Sequence, residues 1–288
     1  MIELQSAVSG ALSGSLFALM ALGLSMTWGY LKVINLAHFA MILVGGYLSF
    51  QLVTATGFDP ITTVLVTAPL MAVVGGLVQL GYERFNVSEF GSLLISYGLL
   101  IITVQVVSNV WSADFRRLDP SVNPYATESV SIGSLVFPLP TLFAAATAAV
   151  LVLIAYLVLE RTYVGRALQA FAQDRLIASA FGIDHRRLGI LLAGSAGASA
   201  AIAGLLYALG GSLTPDLPFE WIGIVFAIVI LGGIGNVAGT LFAGLLVGAV
   251  SGLVAVIWSP STSPLVVFSL VVLSLLFRPK GLFPQKAA

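Results

Sequence analysis

Asn35 and His38 are three residues apart, a spacing that puts two side chains on one face of a helical turn. An amide and an imidazole so placed can hydrogen-bond a polar solute. They can equally satisfy backbone groups left open where a helix breaks inside a membrane. Gly233 and Asn236 stand in a second setting of this kind, Gly232-Gly233-Ile234-Gly235-Asn236. Asp216 and Glu220, in Thr214-Pro215-Asp216-Leu217-Pro218-Phe219-Glu220-Trp221, offer two carboxylates that could receive basic groups of another protein or simply face water. Catalytic patterns are missing: no P-loop, no His-Glu-x-x-His, no Gly-x-Ser-x-Gly, and no pair of carboxylates inside an apolar run. Any ATP work therefore falls to a partner. With no cysteine, disulfides and thiolate chemistry are excluded. We expect no catalytic residue, metal or cofactor.

The elements that must position these residues follow from composition. The chain has 288 residues, 59% hydrophobic and only 8% charged, with a mean hydropathy of +1.06. Soluble domains carry about 25% charged residues. So apolar a chain could not cover a water-facing surface of its size, which leaves an integral membrane protein. Formal net charge is zero, so no basic face invites nucleic acid. Met1-Ile2-Glu3 lacks the basic start of a cleaved signal peptide, so the first apolar run is expected to be a membrane span.

Charged residues leave seven charge-free stretches: 4–31, 33–58, 60–82, 90–113, 129–159, 188–215 and 221–277. Each is long enough to cross a bilayer as a helix, which takes about 20 residues. The last is too long for one crossing. Gly232–Asn236 and Ser259-Pro260-Ser261-Thr262-Ser263-Pro264 cut it into 221–233, 237–258 and 264–277. The fold class expected is an all-α polytopic bundle of about 8–9 membrane segments, some short or broken, in one domain over 1–288. Loop charges set its orientation. Lys32, Arg84, Arg161, Arg166, Arg175, Arg186, Arg187, Arg278, Lys280 and Lys286 fall on one side, and only Arg116 and Arg117 on the other. That bias puts the N-terminus outside and the C-terminus inside.

Two loops are long. Residues 111–137 are expected outside. Residues 160–187 are expected inside, where Leu168, Phe171, Arg175, Ala178 and Phe181 recur every three or four positions. This is the pattern of an amphipathic helix or helix pair, closed by Gly182 as a C-cap. Such a helix either lies on the lipid surface or docks on a cytoplasmic partner. Trp28 and Tyr30 beside Lys32 read as interfacial anchors. Gly194, Gly197, Gly204, Gly244, Gly248 and Gly252 give small-residue faces for close helix packing. Asn236-Val237-Ala238 loosely echoes Asn35-Leu36-Ala37, and paired interruptions point to a transport pathway. For Asn35 and His38 the structural role is favoured over direct substrate contact, because buried polar groups usually hold structural partners.

Four stretches together resemble the permeases of branched-chain amino acid type ABC importers. They are Gly23–Tyr30 with Val33–His38, Glu160–Ile183, Leu231–Asn236 with Gly239 and Gly244, and Leu276–Phe283. The Val-Ile-Asn-Leu-Ala-His form is similar to the shorter, H-type subunit. The resemblance implies a second, M-type permease subunit, two cytoplasmic ABC ATPases, a periplasmic substrate-binding protein and a bacterial inner-membrane location. It also implies that the 160–187 loop couples to the ATPase, with Leu168, Phe171 and Phe181 as anchors, Arg166 and Asp174 at the rim, and Gly182 closing the helix. Asn35, His38, Gly233 and Asn236 would then border the pathway, and Asp216 and Glu220 would meet the binding protein. The sequence departs from the family pattern at Phe39, where Gly is usual, and at Phe85-Asn86, where Arg-Pro is usual. Cargo in this family includes branched-chain amino acids, urea, amides and aromatic acids. An ion-coupled secondary transporter, the alternative from another class, would want a carboxylate inside a span, and none is present.

Overall fold

The computed structural model describes residues 2–133, 135–279 and 281–283; Lys280 and Lys286 of the orientation argument lie outside them. Helix α1 (Ile2–Met26) ends in a π-helical turn, Thr27–Leu31, after which Lys32 takes a left-handed backbone and the chain runs extended into α2 (Ala37–Thr56). Asp59 caps the next turn through the Ile61 N–H at 2.9 Å, leading into α3 (Val64–Arg84). Ser88 caps α4 (Glu89–Trp111). A hairpin of β1 (Ser129–Ile132) and β2 (Leu135–Pro138) then delivers the chain to α5 (Leu139–Arg161). The loop helices α6 (Tyr163–Gln173) and α7 (Arg175–Ala180) follow. Four more helices follow among the described residues: α8 (His185–Gly210), α9 (Leu217–Gly232), α10 (Val237–Ile257) and α11 (Ser263–Phe277).

Among the described residues eight helices are long and apolar enough to cross a membrane, and α9 is a shorter apolar helix. Both cuts expected in 221–277 are present, at Gly233–Asn236 and Trp258–Thr262. The 129–159 stretch needs correction. Its first ten residues form the hairpin: Ser129-Val130-Ser131-Ile132 alternates at the strand period and pairs with the apolar Leu135–Pro138, so the crossing starts at Leu139. The 160–187 loop is a helix pair as its periodicity suggested, with Gly182 at φ +79° just past α7.

Helices α1, α2, α8 and α9 form the interior, and α3, α4, α5 and α11 expose most of their large apolar side chains. Small residues hold the interior together. On α10, Gly244, Gly248 and Gly252 meet Ala18, Gly14, Gly10 and Ser6 of α1 so closely that a side chain would strike backbone. Without a hydrophobic drive between helices in lipid, such contact supplies the dispersion that joins them. At the end remote from α6, Arg116 and Leu213 exchange backbone hydrogen bonds of 2.9 and 2.7 Å. The Tyr125 hydroxyl donates to Asp59 at 2.6 Å, and this hydrogen bond to a carboxylate pushes the phenol pKa up to about 12.

Candidate functional site

The break after α1 frees backbone groups, and those leading into α2 have identifiable partners. The Ala37 N–H donates to Asn35 Oδ1 at 3.1 Å, and the His38 N–H to the Asn35 carbonyl at 3.2 Å. The Leu36 N–H donates to Ser96 Oγ of α4 at 2.9 Å, and the Ser96 hydroxyl reaches the Ile34 carbonyl at 3.3 Å. His38 Nε2 faces the Met20 carbonyl at 2.9 Å, which requires a proton on Nε2. Asn35 and His38 are both buried. Asn35 satisfies a backbone group at the break, and His38 ties the start of α2 to the Met20 carbonyl inside α1. Ser96 does the same work from another helix. One serine in an apolar run gave no local sign of it.

The second break lies against the first. Gly233 and Gly235 sit at φ +85° and +83°, a region where a side chain is strained, so this turn depends on its glycines. Asn236 Oδ1 accepts from the Gly239 N–H at 2.8 Å and caps α10, while its Nδ2 donates to the Phe283 carbonyl at 2.7 Å. The Leu282 N–H donates to the Leu231 carbonyl at 2.8 Å, fastening the C-terminal segment onto the turn. Gly29 of the π-turn touches Gly235 with no room for a Cβ. Ser25 Oγ accepts from the Gly235 N–H and the Thr240 hydroxyl, each at 3.2 Å. A cleft of about 450 Å³ opens beside this junction, lined by Tyr30, Tyr156, Glu160, Asn236 and Phe283. Tyr30 is 2% exposed, which corrects its reading as an interfacial anchor: the π-turn winds it inward.

The loop helices seat on the same junction. Helix α6 packs on the π-turn, α5 and α8. Thr162 caps it through the Gly165 N–H at 3.3 Å, and Gln169 Nε2 donates to the Leu159 carbonyl at 3.0 Å. Leu168 and Phe171 are 2% and 7% exposed, and the Phe171 ring stacks on His185 with centroids 5.9 Å apart. Phe181 is 83% exposed. The expected trio of anchors is thus divided. The stripe of α6 is consumed by this chain's own helices, and Phe181 points outward with Tyr163 and Ile177, two residues the periodicity overlooked. Arg166 is exposed, and Asp174 caps α7 through the Ile177 N–H at 3.0 Å.

The family model "Branched-chain amino acid transport system / permease component" matches residues 6–275. The chain belongs to this permease family. It is 27% identical to the high-affinity branched-chain amino acid transport system permease protein BraD of Pseudomonas aeruginosa, across 97% of this chain and 95% of BraD. It is 28% identical to the permease protein LivH of Escherichia coli, across 97% of this chain and 94% of LivH. A shorter match, 31% identical, joins 44% of this chain to 30% of the Escherichia coli permease protein LivM. No solved structure matches it.

The permease is a multi-pass membrane protein of a transporter family, not an enzyme. In it the four resembling stretches, separated by up to about 250 residues of chain, meet at the π-turn: the turn itself, the 231–236 break, the 281–283 segment fastened to that break, and α6. Asp216 and Glu220 are elsewhere, exposed at the far end of α9 beyond the Arg116–Leu213 pairing.

Proposed function

We propose that this permease is the H-type half of an ABC importer for branched-chain amino acids or related small polar solutes, in a bacterial inner membrane. Its partners are an M-type permease subunit, two cytoplasmic ATPases and a periplasmic binding protein. The N-terminus lies outside and the C-terminus inside. The observation that carries this reading is the seating of α6 on the π-turn of α1, against the Gly233–Asn236 break. A shift of α6 driven by the ATPase would press directly on the two segments where membrane helices are interrupted. Broken helices are where a spanning bundle can rearrange with least loss of packing. Phe181, with Tyr163 and Ile177, supplies the apolar contact offered to the ATPase, and exposed Arg166 sets orientation at the rim. Leu168 and Phe171 act one step behind, holding α6 to the bundle. Asp174 shapes the turn between α6 and α7, and Gly182 ends α7. Gly233 and Asn236 border the moving turn, with Asn35 and His38 fixing its neighbour, while Asp216 and Glu220 lie where a binding protein would dock.

Similarity to BraD and LivH along nearly the whole chain, at 27% and 28% identity, supports branched-chain amino acids as cargo over urea, amides or aromatic acids. The deciding experiment reconstitutes the permease with its co-expressed ATPases and second permease in proteoliposomes. ATP hydrolysis should rise when leucine-loaded binding protein is added outside, and leucine should accumulate. A cysteine placed at Ser121 should react with an impermeant thiol reagent from the binding-protein side, and one at Ser179 only after permeabilisation. Leucine transport without the ATPases would overturn the importer reading, and the reverse labelling would overturn the orientation.

A further inference from the structure

Helix α4 is exceptional among the spans. Its main helix neighbour is α2, reached through a face that buries Ser92, Ser96, Leu100 and Val107. At about 100° per residue, Gln105 lies almost diametrically opposite that face. Gln105 and Asn109 are both exposed, and Gln105 Nε2 donates to Asn109 Oδ1 at 3.2 Å. That bond uses one N–H of Gln105 and one acceptor of Asn109. Gln105 Oε1 and Asn109 Nδ2 have no partner among the described residues. Trp111 ends the helix, so Gln105 sits about 9 Å along the axis from that end, inside a hydrocarbon layer roughly 30 Å thick. Lipid tails offer such amides nothing to bond. An exposed amide at the depth of Gln105 therefore calls for protein. Away from the helix ends, the exposed side chains of α3, α5 and α11 are apolar apart from the hydroxyls of Tyr156 and Ser269, and none carries an amide.

We infer that the outward face of α4, centred on Gln105 and flanked by Leu94, Gly98 and Ile101, is the seam against the second permease subunit, with the Gln105–Asn109 amides bonding across it. The inference rests on the two-permease reading above and adds where the halves meet. Gly98 fits the assignment, because nothing lies within 4 Å of where its Cβ would be, which leaves room for a neighbouring helix to approach. The short similarity to LivM makes a second chain of related fold the natural occupant.

The test places a photo-crosslinking amino acid at Gln105, with controls at Leu153 on α5 and Leu273 on α11, in the complex purified with its co-expressed second permease. A crosslink to the second permease from Gln105 and from neither control is the expected result. With the complex intact, a crosslink only from the controls would overturn the seam, as would a crosslink to another copy of this chain. Failure to isolate any two-permease complex would instead overturn the reading on which it rests. As a further measurement, the chain's lack of cysteine allows a single thiol at Gln105. Reaction of that thiol with an impermeant reagent in the assembled complex would assign this face to a water-filled path and reject the seam. Gln105→Leu should lower recovery of the second permease about threefold, the size of one modest interhelical hydrogen bond. Unchanged recovery would overturn the role of the amides.

Discussion

Helices α1 and α10 meet backbone to backbone over three successive glycines of α10, whereas α6 meets backbone at its start, where Gly165 lies against Leu159 of α5, and farther along is held by the side chains of Leu168 and Phe171. The difference is one of compliance. Where Gly248 lies on Gly10 and Gly14 there is no side chain to adjust, so the two helices behave as one body. Where Phe171 stacks on His185, rings can slide and rotamers can change, so this end of α6 can swing at modest cost about the start fixed by Gly165 on Leu159. The Gly29–Gly235 contact joins the two regimes, because it is rigid itself yet lies under α6. A permease driven from outside needs both: a stiff body to transmit displacement and a pliant attachment to receive it.

The sharpest way to break this comparison is Gly248→Leu. The new side chain would meet Gly14 Cα and N at 2.6 and 2.8 Å from its first carbon alone, with backbone that cannot step aside. Overpacking a tight interior costs about 1–3 kcal/mol, occasionally more, and a backbone obstacle puts this case at the upper end. Folded yield in detergent should collapse, while Gly81→Leu on α3, where nothing lies within 4 Å, should leave it unchanged. Equal yields for the two would refute the rigid seam.

Next in size is the contrast within the loop. Phe171→Ala removes a buried ring, a change that typically costs about 3–5 kcal/mol, and should expose the 160–187 segment to limited proteolysis. Phe181→Ala removes an exposed ring and should leave proteolysis unaltered. If it anchors the ATPase, truncation costs about 2 kcal/mol, or roughly thirtyfold in affinity, seen as lost ATPase after dilution and washing. Identical behaviour of the two variants would erase the distinction between inner and outer faces.

The smallest effect belongs to the cap. Asn236→Ala removes the bond to the Gly239 N–H and the tie to Phe283, and should lower stability by about 1 kcal/mol in a denaturant or thermal series. A larger effect on transport than on stability would show that the 281–283 segment matters to movement as well as to folding.

Much of this was legible in the residues. The span count, both cuts in 221–277 and the helix pair in the loop follow from charge-free length, Gly and Pro clusters and three-to-four periodicity. Each is a local property of the chain. The hairpin at 129–138 was not legible, because absence of charge marks a stretch as apolar enough to cross without saying where its helix begins. The two faces of the loop were blurred for a related reason. Periodicity finds the stripe that must be covered, and the covering surface proved to be this chain's own α5 and α8, not a partner.

By itself the sequence determined that the chain lives in a membrane, where its last long apolar stretch is cut, and which family it joins, since these depend on hydropathy, turn residues and motifs read along one dimension. Only the tertiary structure decided that the two breaks touch through Gly29 and Gly235, that Ser96 serves the first break from another helix, and that Gln105 lies on the face of α4 opposite its buried side. Those facts depend on which helix faces share space. In a bundle knit by small residues of similar character, many pairings look alike in sequence, and only close packing of whole helices selects among them.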